Sequence, residues 1–157
     1  MKCFYCDFAA YSGHGKFADR YLAALEAEAA LHPPAAPDTL YVGGGTPSEL
    51  SSSQIGDLFV RLRRAYPAAR FTENTFEGNP ESLDSGKLDV LAREGVTRLS
   101  IGLQTADDAL LPAIGRRHTA ADFAAVFKAA RRAGIPALSV DLMFGLPGQT
   151  LAQALAD

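Results

Sequence analysis

Cys3 and Cys6 are the only two cysteines in this 157-residue sequence, and only Phe4 and Tyr5 separate them. Thiolates at this spacing suit a soft metal or a redox exchange. Half of a zinc site, a redox dithiol, two incidental thiols and part of an iron–sulfur ligand set all share the pattern. A zinc site would draw its remaining ligands from His14, His32 or His118, which otherwise read as ordinary loop residues. The two cysteines lie too close together to staple a fold, which excludes a disulfide framework and points to a cytoplasmic protein whose cysteines bind something.

Further along, Gly43-Gly44-Gly45-Thr46-Pro47 follows a strand-forming run. Glycines there let a ligand approach the backbone, whose N–H groups can bind a carboxylate or phosphate. A plain tight turn between strand and helix explains the same residues. The segment is not a P-loop, because no Gly-Lys-Ser/Thr follows, and it lacks the third glycine of a dinucleotide fingerprint. Glu77 and Asp141 are carboxylates where a parallel strand is expected to be apolar. Burying either without a partner costs several kcal/mol. Arg116 could serve as one partner, a ligand hydroxyl or amine as another, and backbone at a strand end as the structural alternative. Gln104 ends a strand in the same way.

The elements that must position these residues follow from periodicity. Apolar stripes with helical spacing cover 16–32 (Phe17, Tyr21, Leu25 and Ala29 on one face), 53–66, 85–94 and 119–134. Pro33, Pro67, Gly95 and Gly134 stop them, and Thr119 with Asp122 opens the last as a cap. Strand-like runs occupy 39–42, 70–77, 98–104 and 137–144, and a further helix begins after Pro147. Strict alternation of strand and helix predicts right-handed βαβ units on a parallel sheet, in one continuous array without repeats or linkers. Alternate residues of these strands are polar: Glu73, Thr75 and Glu77; Ser100, Gly102 and Gln104; Ser139 and Asp141. A polar inner face on neighbouring strands predicts a wet interior, with ligands at the carboxyl ends.

Composition is that of an ordinary globular domain, with 48% hydrophobic and 21% charged residues. The net charge of −3 argues against a nucleic-acid partner, which would need a basic stripe. No apolar run approaches the ~20 residues of a membrane span, and no secretion signal opens the chain.

In order, the motifs Cys-x-Tyr-Cys6, Tyr41-Val-Gly-Gly-Gly-Thr-Pro-Ser48, Glu77-x-Asn-Pro-Glu81, Leu99-Ser-Ile-Gly-Leu-Gln104, Gly115-Arg-Arg-His-Thr119 and Val140-Asp-Leu-Met-Phe-Gly-Leu-Pro-Gly-Gln-Thr150 resemble one family throughout. It is the radical S-adenosylmethionine (SAM) group holding the oxygen-independent coproporphyrinogen III oxidases and the related heme chaperones. The resemblance implies an α/β fold: a partial, TIM-like (β/α) barrel of the radical SAM type. About four parallel strands with intervening helices remain in residues 1–157, with the barrel truncated at both ends and a C-terminal domain missing. It also implies that Cys3 and Cys6 are two of three cysteines holding a [4Fe–4S] cluster in a Cys-x-x-x-Cys-x-x-Cys loop, with Tyr5 lying against SAM. Gly44, Gly45 and Thr46 match the loop that meets the methionine amino end. Glu77, Gln104, Arg116 and Asp141 match positions that contact the rest of SAM. One electron from the cluster would then cleave SAM to methionine and a 5′-deoxyadenosyl radical, the cofactor carrying the hard chemistry.

The first cluster cysteine would fall upstream of Met1, so the expectation is that this polypeptide alone is inactive, with edge strands that favour poor solubility. In the oxidases a further cysteine stands two residues beyond the cluster loop, where this chain has Phe8. Cys6-Asp7-Phe8-Ala9-Ala10-Tyr11 is similar to the heme chaperone branch. The implied partners are SAM, heme or a porphyrinogen, and an unnamed electron donor. Heme would be held in a full-length protein. An oxidase that decarboxylates propionates to vinyl groups is the alternative, and a degenerate, non-catalytic fragment is another.

Overall fold

A computed structural model describes residues 2–8 and 13–157. Met1 and residues 9–12 lie outside it, so the Ala9-Ala10-Tyr11 part of the chaperone-like stretch falls outside the described residues. Four strands, β1 (Thr39–Val42), β2 (Glu73–Gly78), β3 (Arg98–Gln104) and β4 (Ala137–Leu142), form one sheet in the order β1-β2-β3-β4. All three pairings are parallel, and each crossover carries a helix. Sequential order with parallel pairing is how a (β/α) barrel wall is laid down, and it matches the expected fold class.

The helices are α1 (Ala18–Ala29), α2 (Ser52–Ala65), α3 (Ser85–Arg93), α4 (Ala120–Arg132) and α5 (Leu151–Ala156). Their starts are chemically explicit. Ser51, Thr119 and Thr150 each accept from the backbone N–H three residues on, and Gln54, Asp122 and Gln153 return the bond as capping boxes. One apolar core lies between the helices and the outer face of the sheet. Ile55, Phe59, Phe76, Leu88, Leu91, Leu99 and Ile101 are buried there, with Phe123, Val126 and Phe127 packed against it.

Three boundaries differ from the sequence reading. The second strand starts at Glu73 rather than Arg70: a turn at Pro67, closed by the Ala69 N–H on the Tyr66 carbonyl, draws the Arg70 guanidinium back to the carbonyls of Pro67 and Ala69, and pairing with β1 begins only at Glu73. The fourth ends at Leu142, opposite Gln104, where β3 itself ends and its backbone leaves the extended region at a φ of +72°. In α1, Leu22 is the buried residue while Phe17 and Tyr21 are exposed. Phe17 lies in the 3₁₀ turn Gly15–Phe17, outside the helix, and a stripe stepping by four residues drifts from the 3.6-residue period, so the inward stripe is Leu22, Leu25 and Ala29. No helix among the described residues is long and apolar enough to cross a membrane.

Candidate functional site

The polar residues gather where the strands end. Glu77, next to last in β2, accepts hydrogen bonds from the Tyr41 hydroxyl and from the Gly44 N–H at 3.2 Å. The bond to Glu77, helped by burial, pushes the Tyr41 phenol up to about 12. A Cβ at Gly43 would come within 2.7 Å of the Tyr41 ring and 2.8 Å of the Glu77 carboxylate. Gly44 has a φ of +116°, which side chains rarely adopt. Glycine at both positions therefore lets the loop lie on the carboxylate. The Thr46 hydroxyl donates to the Gly45 carbonyl at 2.6 Å, and Asn79 Nδ2 lies 3.5 Å from Thr46 Oγ1.

On the neighbouring strands, the Ser100 hydroxyl donates to Asp141 at 3.1 Å, and Gly102 stands in register with Asp141. Gln104 is buried with a φ of +72°, the one non-glycine residue with positive φ among those described. Strain of that kind on a non-glycine costs of order 1–3 kcal/mol and clusters at functional sites. A Cβ on Gly102 would fall 2.2 Å from Arg116 Nη2, 2.7 Å from Gln104 Nε2 and 3.1 Å from Asn79 Oδ1. The absence of a side chain at Gly102 is thus what allows these three polar groups to meet.

Arg116 does not pair with Glu77 or Asp141, contrary to the sequence reading. It follows Gly115, whose left-handed turn closes a short 3₁₀ segment, and its guanidinium lies over Gly102. Nη2 donates to the Gly102 carbonyl at 3.0 Å, while Nη1 lies 3.6 Å from Glu81. Glu77 is already satisfied by Tyr41 and Gly44. His118 is not a loop residue in character either: it is buried between Glu81 (Nδ1, 3.1 Å) and the Leu103 carbonyl (Nε2, 3.1 Å). Burial pushes the Glu81 carboxyl up, but the hydrogen bond with His118, backbone bonding and the Arg116 charge outweigh it and hold it below the usual range. In the sequence Glu81 stands only as a member of a motif and His118 reads as a loop residue; no local spacing announces that they meet.

The cysteine turn docks beside this cluster. Cys6 N–H donates to the Cys3 carbonyl, and Phe4 N–H donates to the Ile114 carbonyl, both at 3.2 Å. A Cβ on Gly115 would sit 3.3 Å from Phe4, so that glycine admits the turn. Both thiols are free and half-buried. Burial pushes the Tyr5 phenol up to about 12 against the pull of the Arg116 charge, with Cys3 adding to the rise. The ten residues singled out from the sequence therefore fall into three neighbouring groups: the loop with Glu77; Gln104, Arg116 and Asp141 on β3, β4 and the following turn; and the cysteine turn with Tyr5. Two free thiols suit an iron–sulfur group as ligands, although no trio of His, Cys, Asp or Glu is grouped for a metal among the described residues. Arg116 Nε is buried with no protein partner, which suits a ligand bearing an acceptor.

The model of the Radical SAM superfamily matches residues 1–156. The chain belongs to that superfamily. Its relatives include the heme chaperone HemW of Bacillus subtilis (strain 168), 44% identical over 154 residues, which cover 95% of this chain and 41% of the relative. HemW of Escherichia coli (strain K12) is 34% identical over 162 residues, covering 100% and 43%. The solved structure of E. coli coproporphyrinogen III oxidase (HemN), a radical SAM enzyme, superposes with a TM-score of 0.91 at 30% identity, over 99% of this chain and 37% of that one. These likenesses place this radical SAM chain in the HemN- and HemW-like group. They also bear out the partial barrel. The chain spans about two fifths of the length of the curated relatives it matches. SAM and a [4Fe–4S] cluster are typical of the superfamily.

Proposed function

We propose that this chain forms the SAM cradle of a cytoplasmic heme chaperone, with Cys3 and Cys6 as two ligands of a [4Fe–4S] cluster. The observation that carries this reading is the buried, unpartnered Nε of Arg116, whose guanidinium lies beside Gln104 and over Gly102, the register partner of Asp141, at the carboxyl ends of parallel strands. A buried donor left unpaired costs about 1–3 kcal/mol, which an acceptor on a ligand recovers. In this reading Gly44, Gly45 and Thr46 present backbone to the amino-acid end of SAM. Glu77, Gln104, Arg116 and Asp141 orient the remainder, and Tyr5 shields it from the cysteine side. Cluster and SAM together supply one-electron radical chemistry when bound. The chain's own residues bind, orient and exclude water.

Heme chaperone is favoured over oxidase because relatives of that name reach 44% identity and because Phe8 stands where the oxidases carry a further cysteine. The test is to reconstitute the gene product carrying this chain anaerobically with iron and sulfide, then supply heme or coproporphyrinogen III. Stoichiometric heme binding and transfer to an apo-haem protein, without vinyl formation, is the expected result. Decarboxylation of coproporphyrinogen would replace the chaperone reading with the oxidase.

A further inference from the structure

We propose that Glu81, braced by His118, is a positioning residue that holds the Arg116 guanidinium for SAM; this rests on the reading that Arg116 reaches SAM. The Arg116 side chain is only 3% exposed, and Nη2 is the atom the protein bonds directly, to the Gly102 carbonyl. One hydrogen bond leaves a guanidinium free to pivot about it. The second restraint is Glu81, whose Oε1 lies 3.6 Å from Nη1 while its Oε2 lies 3.1 Å from His118 Nδ1. His118 is in turn fixed: its side chain is 0% exposed, and Nε2 donates to the Leu103 carbonyl, an atom that can only accept.

Glu81 sits in the 3₁₀ turn Pro80–Ser82 that follows β2, while Leu103 and Gly102 belong to β3. The carboxylate thus ties the guanidinium to two adjacent strands, and Nε is the guanidinium atom buried without a hydrogen bond. A planar fork hydrogen-bonded at Nη2 and ion-paired at Nη1 presents Nε in a set direction, which a lysine or an unbraced arginine would not do. Lys87 builds a similar brace behind the glycine loop, donating to the Ser48 and Ser82 carbonyls, so the turn carrying Glu81 is itself anchored.

The test is SAM binding by equilibrium dialysis with the full chain, in a double-mutant cycle of Glu81→Gln and Arg116→Ala. Glu81→Gln keeps the volume and removes the charge, and should weaken binding roughly tenfold. In the Arg116→Ala background, already weakened, the same change should have no further effect. A merely structural glutamate would lower the melting temperature without this coupling. His118→Gln, which removes the brace and keeps the carboxylate, should give a smaller loss that also disappears with Arg116→Ala. It carries the cycle if Glu81→Gln melts below the assay temperature. Undiminished loss in the Arg116→Ala background overturns the positioning role. So does wild-type binding by Glu81→Gln while Arg116→Ala is weak, and in that case the SAM reading stands. Wild-type binding by Arg116→Ala removes both.

Discussion

Gly102→Ala should reduce SAM binding by at least about tenfold while the chain remains folded, as read by equilibrium dialysis and thermal melting. The added methyl would lie 2.2 Å from Arg116 Nη2 and 2.7 Å from Gln104 Nε2, distances no side chain tolerates. Neither neighbour can yield freely. Arg116 is bonded to the carbonyl of the same glycine, and Gln104 is buried with its backbone in the left-handed region. Overpacking of this kind costs about 1–3 kcal/mol of stability. The larger consequence is for binding, because both displaced groups belong to the proposed cradle. A variant that binds as tightly as the wild type would show that Arg116 and Gln104 do not contact the ligand.

The largest loss of stability is expected from Phe76→Ala. Phe76 is fully buried in β2 and points into the helix-side core, opposite Glu77. Truncating such a phenylalanine costs about 3–5 kcal/mol, the transfer loss plus the cavity left behind. For a chain of this size that lowers the melting temperature by roughly 10 °C. Circular dichroism checks it directly. A loss below about 1 kcal/mol would mean that the core collapses around the gap. The two variants separate the faces of one sheet: the outer face packs the core, and the inner face holds the proposed cradle.

Much of this division is readable in the sequence, and the reasons are physical. Leu99, Ile101 and Leu103 alternate with Ser100, Gly102 and Gln104 in a strand whose bounds, Arg98–Gln104, are legible from its turn signals. A polar residue on a buried strand needs a partner, so residue type and strand position alone single out Glu77, Gln104 and Asp141. Local strand propensity misleads at Arg70, whose side chain bonds back to the preceding turn, and helical spacing misleads at Phe17, which lies in a 3₁₀ turn, and at Tyr21, since four-residue steps drift from the helical period. The Glu81–His118–Arg116 cluster is beyond the reach of local pattern for a different reason. Its members lie 35 and 37 residues from Glu81 along the chain, and only the closure of β3 and its following turn brings them together. Arg116 is recognisable as a candidate through the family motif, but pattern cannot assign its partner, since Glu77 has nearer donors in Tyr41 and Gly44.

The most direct test of the central claim is the stoichiometry of labelled SAM bound by the anaerobically reconstituted chain, measured beside Gln104→Ala and Asp141→Ala. One molecule per chain is expected, with each substitution lowering affinity by about tenfold, the loss typical of a hydrogen bond to a charged group. No saturable binding, or binding that both variants retain in full, would contradict a cradle at these strand ends.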